Sequence, residues 1–176
     1  EAEFPGIKER VCDEHGALLI FDEVITGFRV SAGGAQGRYD VAPDITVMGK
    51  VVGGGLPVGG FGAPAEIMDQ LAPGGPVYQA GTLSGNPLAT AAGLATLGAL
   101  GEEGVYETLE TTGAALAGGL EEAVASCGVS ARVQRVGSMM TLFFNEIPVE
   151  NRDSLDGVRT DLYAAFYQGM LEGGVT

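Results

Sequence analysis

The residues ITVMGK at positions 45–50 form a short apolar run that ends in a lysine. Upstream, ALLIF at positions 17–21 is a second apolar run, and it is followed by Asp22 and Glu23. Short continuous apolar runs are typical of strands that are buried on both faces in a parallel sheet. Ligands bind at the carboxyl ends of such strands. We therefore expect an α/β fold in which an acid and an amine lie at the ligand-binding edge of the sheet.

Lys50 is one of only two lysines in the chain, the other being Lys8, and a glycine cluster at positions 53–55 follows it. An amine at a strand end can hold an aldehyde as a Schiff base, and a nearby carboxylate such as Asp22 can keep a pyridine nitrogen protonated. These are the two groups that an enzyme using pyridoxal 5'-phosphate requires. The alternative is a solvated lysine at a strand end, and the spacing alone favours neither.

The second informative stretch is GTLSGNP at positions 81–87. Asn86 is a favourable N-cap and Pro87 a favourable first helical residue, so a helix is predicted to begin here. The free N–H groups at such a helix start attract anions, and the hydroxyl of Thr82 could contact a phosphate beside them. Taken alone, the loop is more simply explained as a capping loop without a ligand.

The remaining patterns predict the other elements of the fold. A helix is expected to end at Gly16, and residues 26–44 read as a long glycine-rich loop. Helical periodicity over residues 105–126 puts Leu109, Leu116 and Leu120 on one inward face. Other elements predicted from their patterns are a strand at 58–62, a helix at 64–71, antiparallel strands at 129–136 and 139–144, and a helix at 155–171.

Composition excludes several classes of function. The formal net charge of −14 disfavours binding to nucleic acid or to an anionic membrane. No apolar run approaches the roughly 20 residues that cross a bilayer. Two cysteines make no disulfide framework, so we expect a reducing cytoplasm. The chain starts with Glu1 and is expected to be an internal piece of a longer protein.

Two other site motifs fail on inspection. Lysine after glycine suggests a phosphate-binding P-loop, but Asp44 and Val51 occupy the positions where that motif needs glycine and serine or threonine. Cys12 and His15 are only two potential metal ligands, too few for a zinc site. No metal is therefore expected.

Three stretches together resemble a known family, the class III aminotransferases of fold type I, which depend on pyridoxal phosphate. Residues 19–30 (LIFDEVITGFRV) resemble its cofactor-ring motif, residues 49–59 (GKVVGGGLPVG) its Schiff-base lysine motif, and residues 78–89 (YQAGTLSGNPLA) its phosphate-contact loop. The order and spacing of the three motifs match the family.

The resemblance implies a role for each matching residue. Lys50 would be the catalytic residue that carries pyridoxal 5'-phosphate and shuttles protons, with the cofactor passing through its pyridoxamine 5'-phosphate form. Asp22 would pair with the pyridine nitrogen, and Val24 would press on the ring. Thr82 would bind the phosphate of the neighbouring subunit's cofactor in a homodimer.

Within the class, the sequences of residues 26–30 and 79–87 resemble those of an aminomutase branch. Such an enzyme moves an amino group within one amino-aldehyde substrate. The alternatives are an ω-aminotransferase with a separate amino donor and a non-catalytic structural or binding fragment. The resemblance also implies the domain organisation. Residues 1–104 would be the C-terminal part of a large, mainly parallel-sheet domain, residues 105–127 a connecting helix, and residues 128–176 part of a small α+β C-terminal domain.

Overall fold

The computed structural model describes residues 10–175. The chain divides into two compact units, with the boundary between Glu107 and Thr108. Helix α1 is described over residues 10–15, and Gly16 ends it in a left-handed conformation, as predicted. The part of the predicted helix before residue 10 lies outside the described residues.

A three-stranded sheet forms the centre of the first unit. Its strands are β1 (Ile20–Glu23), β2 (Ile45–Met48) and β3 (Gly60–Gly62), in the order β1-β2-β3. β1 and β2 are parallel, with Asp22 opposite Val47, whereas β3 runs antiparallel to β2. The parallel pairing predicted from the two apolar runs is confirmed. β2 coincides with the apolar residues 45–48 of the second run.

The prediction for the first strand was wrong in position and in burial. The strand begins at Ile20 rather than residue 17, so Asp22 and Glu23 lie inside it rather than after it. Leu18 and Ile20 are 57% and 56% exposed. The apolar run predicts a strand that is buried on both faces, and these exposures contradict that prediction. Among the described residues β1 is an edge strand, so its side chains have fewer neighbours than those of a central strand.

The first unit also contains helical elements. Residues 26–44 are not only a loop, since they include a six-residue helix, α2. The predicted helix at 64–71 is shorter than expected, because the chain turns after Met68 and Leu71 forms a bridge with Val77. The helical elements are α2 (Gly34–Tyr39), a 3-10 turn (Lys50–Gly53), α3 (Ala65–Met68) and α4 (Pro87–Leu100).

Helix α4 begins as the sequence predicts. The side chain of Asn86 accepts a hydrogen bond from the backbone N–H of Ala89 at 3.1 Å, and Pro87 is the first helical residue. The helix packs on the 3-10 turn without any intervening side chain at Gly93, where an added Cβ would lie 2.3 Å from the carbonyl oxygen of Val52. This close approach fixes α4 against the turn that begins with Lys50.

The second unit is built from helices and one hairpin. Helix α5 (Val105–Cys127) starts at the end of the first unit and continues into the second, and α6 (Thr160–Glu172) closes the chain's described part. Strands β4 (Arg132–Val136) and β5 (Met139–Phe143) pair antiparallel, as predicted. The predicted first strand of the hairpin began three residues too early. The last helix was predicted as one element over residues 155–171, but the structure has a separate 3-10 turn at Asp153–Leu155 before α6.

Buried apolar side chains define the core of the second unit. Leu142 and Phe144 are buried, and the rings of Phe144 and Phe166 are 6.0 Å apart between centroids. Ala117 on α5 is buried, whereas Leu116 is exposed, contrary to the prediction. None of the described helices is both long enough and apolar enough to cross a bilayer.

Candidate active site

Asp22 lies near the carboxyl end of β1 and is exposed. Its carboxylate accepts a hydrogen bond from the backbone N–H of Val24 at 3.0 Å, which ties the side chain to the chain that leaves the strand. The register puts Asp22 beside Val47, and side chains opposite each other lie on one face of a sheet. Asp22 therefore stands on the open face that also carries Ile20.

Lys50 begins the 3-10 turn that follows β2, two residues after Met48, and it is exposed. Its backbone is left-handed, with φ of +47°. This conformation costs an L-residue about 1–2 kcal/mol, and it persists only where the surroundings fix it. Hydrogen bonds from Val52 to Gly49 and from Gly54 to Val51 close the turn. Residues in such strained conformations cluster at active sites, so the geometry marks Lys50 as a candidate functional residue.

The segments that follow the two parallel strands meet at Val24 and Gly49. A Cβ added to Gly49 would lie 3.3 Å from Cγ1 and 3.4 Å from Cγ2 of Val24, so the Val24 side chain already lies against the backbone that precedes Lys50. Asp22 is bonded to Val24. The structure thus brings three of the four residues predicted for the site, Asp22, Val24 and Lys50, to one end of the sheet.

Thr82 is the fourth predicted residue, and the structure does not bring it to the other three. It lies in a turn at residues 82–85, just before α4, and its side chain is exposed. It is not among the residues that line the cavity beside Lys50. The turn itself is held by a hydrogen bond from the N–H of Ser84 to the carbonyl of Gly81 at 2.9 Å.

A cavity of about 640 Å³ lies beside Lys50. Arg29 lines the same cavity, and the rest of its wall is apolar or glycine. The sequence predictions gave Arg29 no role, although it lies within the stretch 19–30 that resembles the cofactor-ring motif. The signal that could have identified it is its charge, because the chain has only nine lysines and arginines among 176 residues.

The loop that carries Arg29 is held by hydrogen bonds on the backbone of Phe28 and Arg29. Phe28, directly before it, has φ of +57°, a rare conformation for a bulky residue. The hydroxyl of Tyr106 donates a hydrogen bond to the Phe28 carbonyl at 3.0 Å, and the N–H of Arg29 donates to Thr26 at 3.0 Å. Burial raises the pKa of Tyr106, and the positive charge of Arg29 opposes that rise. Tyr106 therefore stays a neutral hydrogen-bond donor.

Glu23 anchors the other end of the glycine-rich segment, and the sequence predictions did not foresee this role. Its side chain is only 1% exposed and accepts hydrogen bonds from the backbone N–H groups of Ala35 at 2.9 Å and Gln36 at 2.8 Å. The Thr26 hydroxyl also donates to it, as does the Gln36 side chain at 3.4 Å. A carboxylate that caps the start of α2 in this way replaces the missing helical partners of those N–H groups.

The pKa of Glu23 reflects two opposing effects. Burial raises the pKa, but the hydrogen bonds from Thr26, Ala35 and Gln36 together lower it below the ordinary value of a glutamate. Gly34 has φ of +65°, and a Cβ there would lie 2.7 Å from both carboxylate oxygens of Glu23. The ionised carboxylate thus fits against a glycine backbone and holds residues 26–36 in place beside the cavity.

Comparisons with known proteins identify the family of the chain. A family model described as aminotransferase class-III matches residues 2–176, and the chain belongs to this family. It is 56% identical over 170 residues to a glutamate-1-semialdehyde 2,1-aminomutase of Desulfatibacillum aliphaticivorans, covering 97% of this chain and 40% of that protein. It is also 56% identical to the enzyme of that name from Thermomicrobium roseum, covering 91% of this chain and 37% of that protein.

Solved structures show the same fold. An omega-transaminase from Sphaerobacter thermophilus is 35% identical, with a TM-score of 0.77 over 88% of this chain and 37% of its own. A beta-phenylalanine aminotransferase from Variovorax paradoxus is 30% identical, with a TM-score of 0.85 over 99% of this chain and 41% of its own. A transaminase with PLP bound is 30% identical, with a TM-score of 0.75 over 86% of this chain and 36% of its own.

These matches confirm the predicted fold class and family. The chain has an α/β fold of the type I transaminases. It spans about 40% of the length of the curated relatives that it matches. The roles of individual residues stay predictions.

Proposed function

We propose that the intact protein is a glutamate-1-semialdehyde 2,1-aminomutase, which converts its amino-aldehyde substrate into 5-aminolevulinate, a tetrapyrrole precursor, by moving an amino group within one molecule. The observation that carries the proposal is the placement of Lys50 in a strained turn that is open to a cavity, at the end of the sheet that also carries Val24 and Asp22. The two relatives described above, which bear this enzyme's name, support the choice of reaction.

The residues present fit pyridoxal 5'-phosphate. The cofactor needs an accessible amine, a carboxylate for its ring nitrogen and an apolar surface for its ring, and Lys50, Asp22 and Val24 are these groups. Asp22 is open and oriented by the Val24 N–H. When bound, the cofactor supplies a carbonyl group that reacts reversibly with amines and a ring that withdraws electrons from the substrate carbon next to the nitrogen.

The chain's own residues then have distinct tasks. The amine of Lys50 holds the cofactor and moves protons at the reacting carbons. The carboxylate of Asp22 keeps a proton on the ring nitrogen, since an opposite charge close by stabilises the protonated form. Val24 limits the position of the ring, because its side chain is itself confined against Gly49.

Lys50→Ala tests the assignment of the lysine. Intact protein loaded with cofactor should absorb visible light through its link to Lys50, and the variant should lose that band and its activity. Lys8→Ala, which removes the other lysine of these 176 residues, is the matched control and should keep both. An unchanged band in Lys50→Ala would show that the lysine is wrongly assigned. If intact wild-type protein takes up no cofactor, the protein is a non-catalytic binding or structural protein.

The second candidate function is that of a class III ω-aminotransferase, which the 35% identity to the Sphaerobacter omega-transaminase favours. Such an enzyme needs a separate amino donor and releases an oxo product. Supplying glutamate-1-semialdehyde alone to intact protein in the pyridoxamine form distinguishes the two. Repeated formation of 5-aminolevulinate without a donor supports the mutase, whereas product that requires an added amine supports the aminotransferase.

The proposed enzyme is a homodimer in which Thr82 binds the phosphate of the neighbouring subunit's cofactor. Exposed leucines on α4, the helix that follows the Thr82 turn, support a partner subunit there. Leu88 and Leu94 are 70% and 68% exposed. The helix is apolar on all faces, which is typical of a helix that is buried in its working assembly. We assign the enzyme to the cytoplasm, where its two free cysteines would remain reduced.

Mixed dimers test this arrangement. Lys50→Ala and Thr82→Ala subunits should each be impaired alone, but a heterodimer would contain one site with both residues intact. Unfolding and reassembling the two variants together should therefore restore part of the activity and of the bound cofactor. If the mixture is no more active than the average of the two separate variants, Thr82 does not act across the interface.

A further inference from the structure

The hydroxyl of Tyr106 holds a turn that lies far from it in the sequence. It donates a hydrogen bond to the carbonyl oxygen of Phe28 at 3.0 Å, across 78 residues. The turn has hydrogen bonds of its own, from the N–H groups of Arg29 and Val30 to the carbonyl of Thr26, but these join residues only three or four apart. Tyr106 therefore ties the turn to a distant part of the chain, the first turn of α5.

The backbone of Phe28 has a conformation that needs such support. Its φ is +57°, in the left-handed region that is unfavourable for a bulky L-residue. Strain of this kind persists only where the surroundings fix it. Burial raises the pKa of Tyr106, and the charge of Arg29 opposes that rise only in part. The phenol therefore remains protonated at neutral pH and keeps its hydrogen bond to the strained residue.

The turn at Phe28 directs two successive residues to two different cavities. Phe28 lines a cavity of about 540 Å³ together with Glu23. Arg29 lines the cavity of about 640 Å³ beside Lys50, and Tyr106 is not among the residues that line that second cavity. Because φ at Phe28 determines the direction in which the chain continues, a relaxation of this angle would move Arg29 relative to Lys50. The hydroxyl of Tyr106 thus acts on the shape of the Lys50 cavity from outside it.

We propose that Tyr106 is a positioning residue for the site at Lys50. Its hydroxyl holds the left-handed turn at Phe28 and so keeps the cavity wall that carries Arg29 in the arrangement that admits the substrate. The inference rests on the proposed function, because it assumes that this cavity takes the substrate. The effect is indirect, so loss of the hydroxyl should weaken the use of the site without removing any group that reacts.

Tyr106→Phe in the intact protein tests the holding of the turn, because it removes one oxygen atom and keeps the ring. Hydrogen exchange is measured at the amides of Arg29 and Val30, which both donate to Thr26. We expect exchange there to be roughly 2- to 10-fold faster than in the wild type, the factor that corresponds to one net hydrogen bond. This measurement does not depend on which reaction the protein catalyses. Tyr167→Phe removes the same atom from a tyrosine on α6 that is 53% exposed, and it should leave the exchange unchanged.

Steady-state kinetics measure the consequence for the site. With the substrate that the intact protein turns over, KM in Tyr106→Phe should rise roughly 2- to 10-fold, because the cavity wall is held less firmly. The fall in kcat should be smaller than the rise in KM, since Lys50 itself is unaltered. The visible absorbance of the bound cofactor and its dissociation constant should match the wild type. Chemical denaturation checks that the variant is folded under the assay conditions, where a loss of stability alone would leave KM unchanged.

Three results would overturn the proposal. Unchanged exchange at the amides of Arg29 and Val30 would show that the hydroxyl does not hold the turn. Faster exchange with the KM of the wild type would mean that the turn has no bearing on the site and that Tyr106 contributes to stability only. A dissociation constant of the cofactor that rises as much as KM would place the effect on the cofactor rather than on the cavity wall. The proposed function fails in a different way, through an unchanged visible band in Lys50→Ala.

Discussion

The side chain of Val24 lies against the backbone of Gly49, at the point where the chain leaving β1 meets the chain leaving β2. A Cβ on Gly49 would be 3.3 Å from Cγ1 of Val24 and 3.7 Å from the carbonyl oxygen of Val58. Because Lys50 follows Gly49 directly, this contact sets the distance between Lys50 and Val24, the residue proposed to contact the cofactor ring. A side chain at position 49 would therefore displace Val24 or the backbone at position 49.

Gly49→Ala should therefore weaken cofactor binding as well as stability. The Cβ needs a displacement of a few tenths of an ångström in a packed region, and overpacking of this kind costs about 1–3 kcal/mol. We expect a loss of about 1 kcal/mol in the free energy of unfolding and a several-fold higher dissociation constant for pyridoxal phosphate. Chemical denaturation and absorbance titration of the intact protein measure the two effects.

Gly60→Ala on β3 is the control for this substitution, because a Cβ there would meet nothing within 4 Å. It should leave cofactor affinity unchanged. If Gly49→Ala binds the cofactor as tightly as Gly60→Ala does, the contact between Val24 and Gly49 does not set the site's geometry.

Glu23→Gln should reduce stability in a manner that depends on pH. The carboxylate has a lowered pKa in the folded protein, so its contribution is fully present above the pKa of the unfolded chain, about 4.3. It is lost as the pH falls through the lower pKa of the folded state. We expect Glu23→Gln to cost about 1–3 kcal/mol at neutral pH, because an amide faces the N–H groups of Ala35 and Gln36 with a weaker acceptor.

The measurement is urea denaturation of wild type and variant at several pH values from about 7 to about 3. The difference in unfolding free energy should shrink as the solution becomes acidic. Glu102→Gln removes an exposed carboxylate after α4 and should show a small difference throughout. A deficit in Glu23→Gln that stays constant over the whole range would mean that the ionised carboxylate is not what holds α2.

Glu23 also shows where sequence reasoning stops. The segment 26–44 is rich in glycine and has little helical pattern, so it reads as a loop, yet Gly34–Tyr39 is helical. Its first N–H groups are satisfied by a carboxylate 12 and 13 residues earlier, in another element. Local propensity carries no information about such a partner. By contrast, β2, the start of α4 and the β4–β5 hairpin depend on local signals, and the sequence predicted them.

The same distinction applies to the site. Asp22 and Lys50 could be proposed from the sequence because each lies at the end of an apolar run, whereas Val24 was proposed only through the resemblance of residues 19–30 to the family's cofactor-ring motif. The place of Arg29 on the cavity wall depends on a contact between distant residues, that of Tyr106 with Phe28. Leu116 was wrongly placed inside for a related reason, since the buried positions of α5 are the small residues Gly113 and Ala117.

Asn86→Ala should loosen the start of α4 and the turn that carries Thr82. The Asn86 side chain accepts the N–H of Ala89, and loss of such an N-cap costs about 1 kcal/mol. Asn86→Ser should restore most of that stability, since serine is also a favourable N-cap. Chemical denaturation gives the stability, and hydrogen exchange of the first-turn amides reports the local effect. Equal protection in Asn86→Ala and wild type would exclude the capping role.

Gly93→Ala and Gly98→Ala should change stability in opposite directions, although both replace a glycine in α4. A Cβ at position 93 would lie 2.3 Å from the Val52 carbonyl oxygen, so α4 would have to move off the turn that begins with Lys50. A Cβ at position 98 meets nothing within 4 Å. There the substitution should stabilise the helix by about 0.5–1 kcal/mol, because alanine loses less backbone entropy than glycine.

For Gly93→Ala we expect a loss of at least about 1–3 kcal/mol, the usual cost of overpacking, together with weaker binding of pyridoxal phosphate. Denaturation and cofactor titration of the two variants side by side measure this difference. If Gly93→Ala is as stable as Gly98→Ala and binds the cofactor equally well, α4 does not rest on the lysine turn at Gly93.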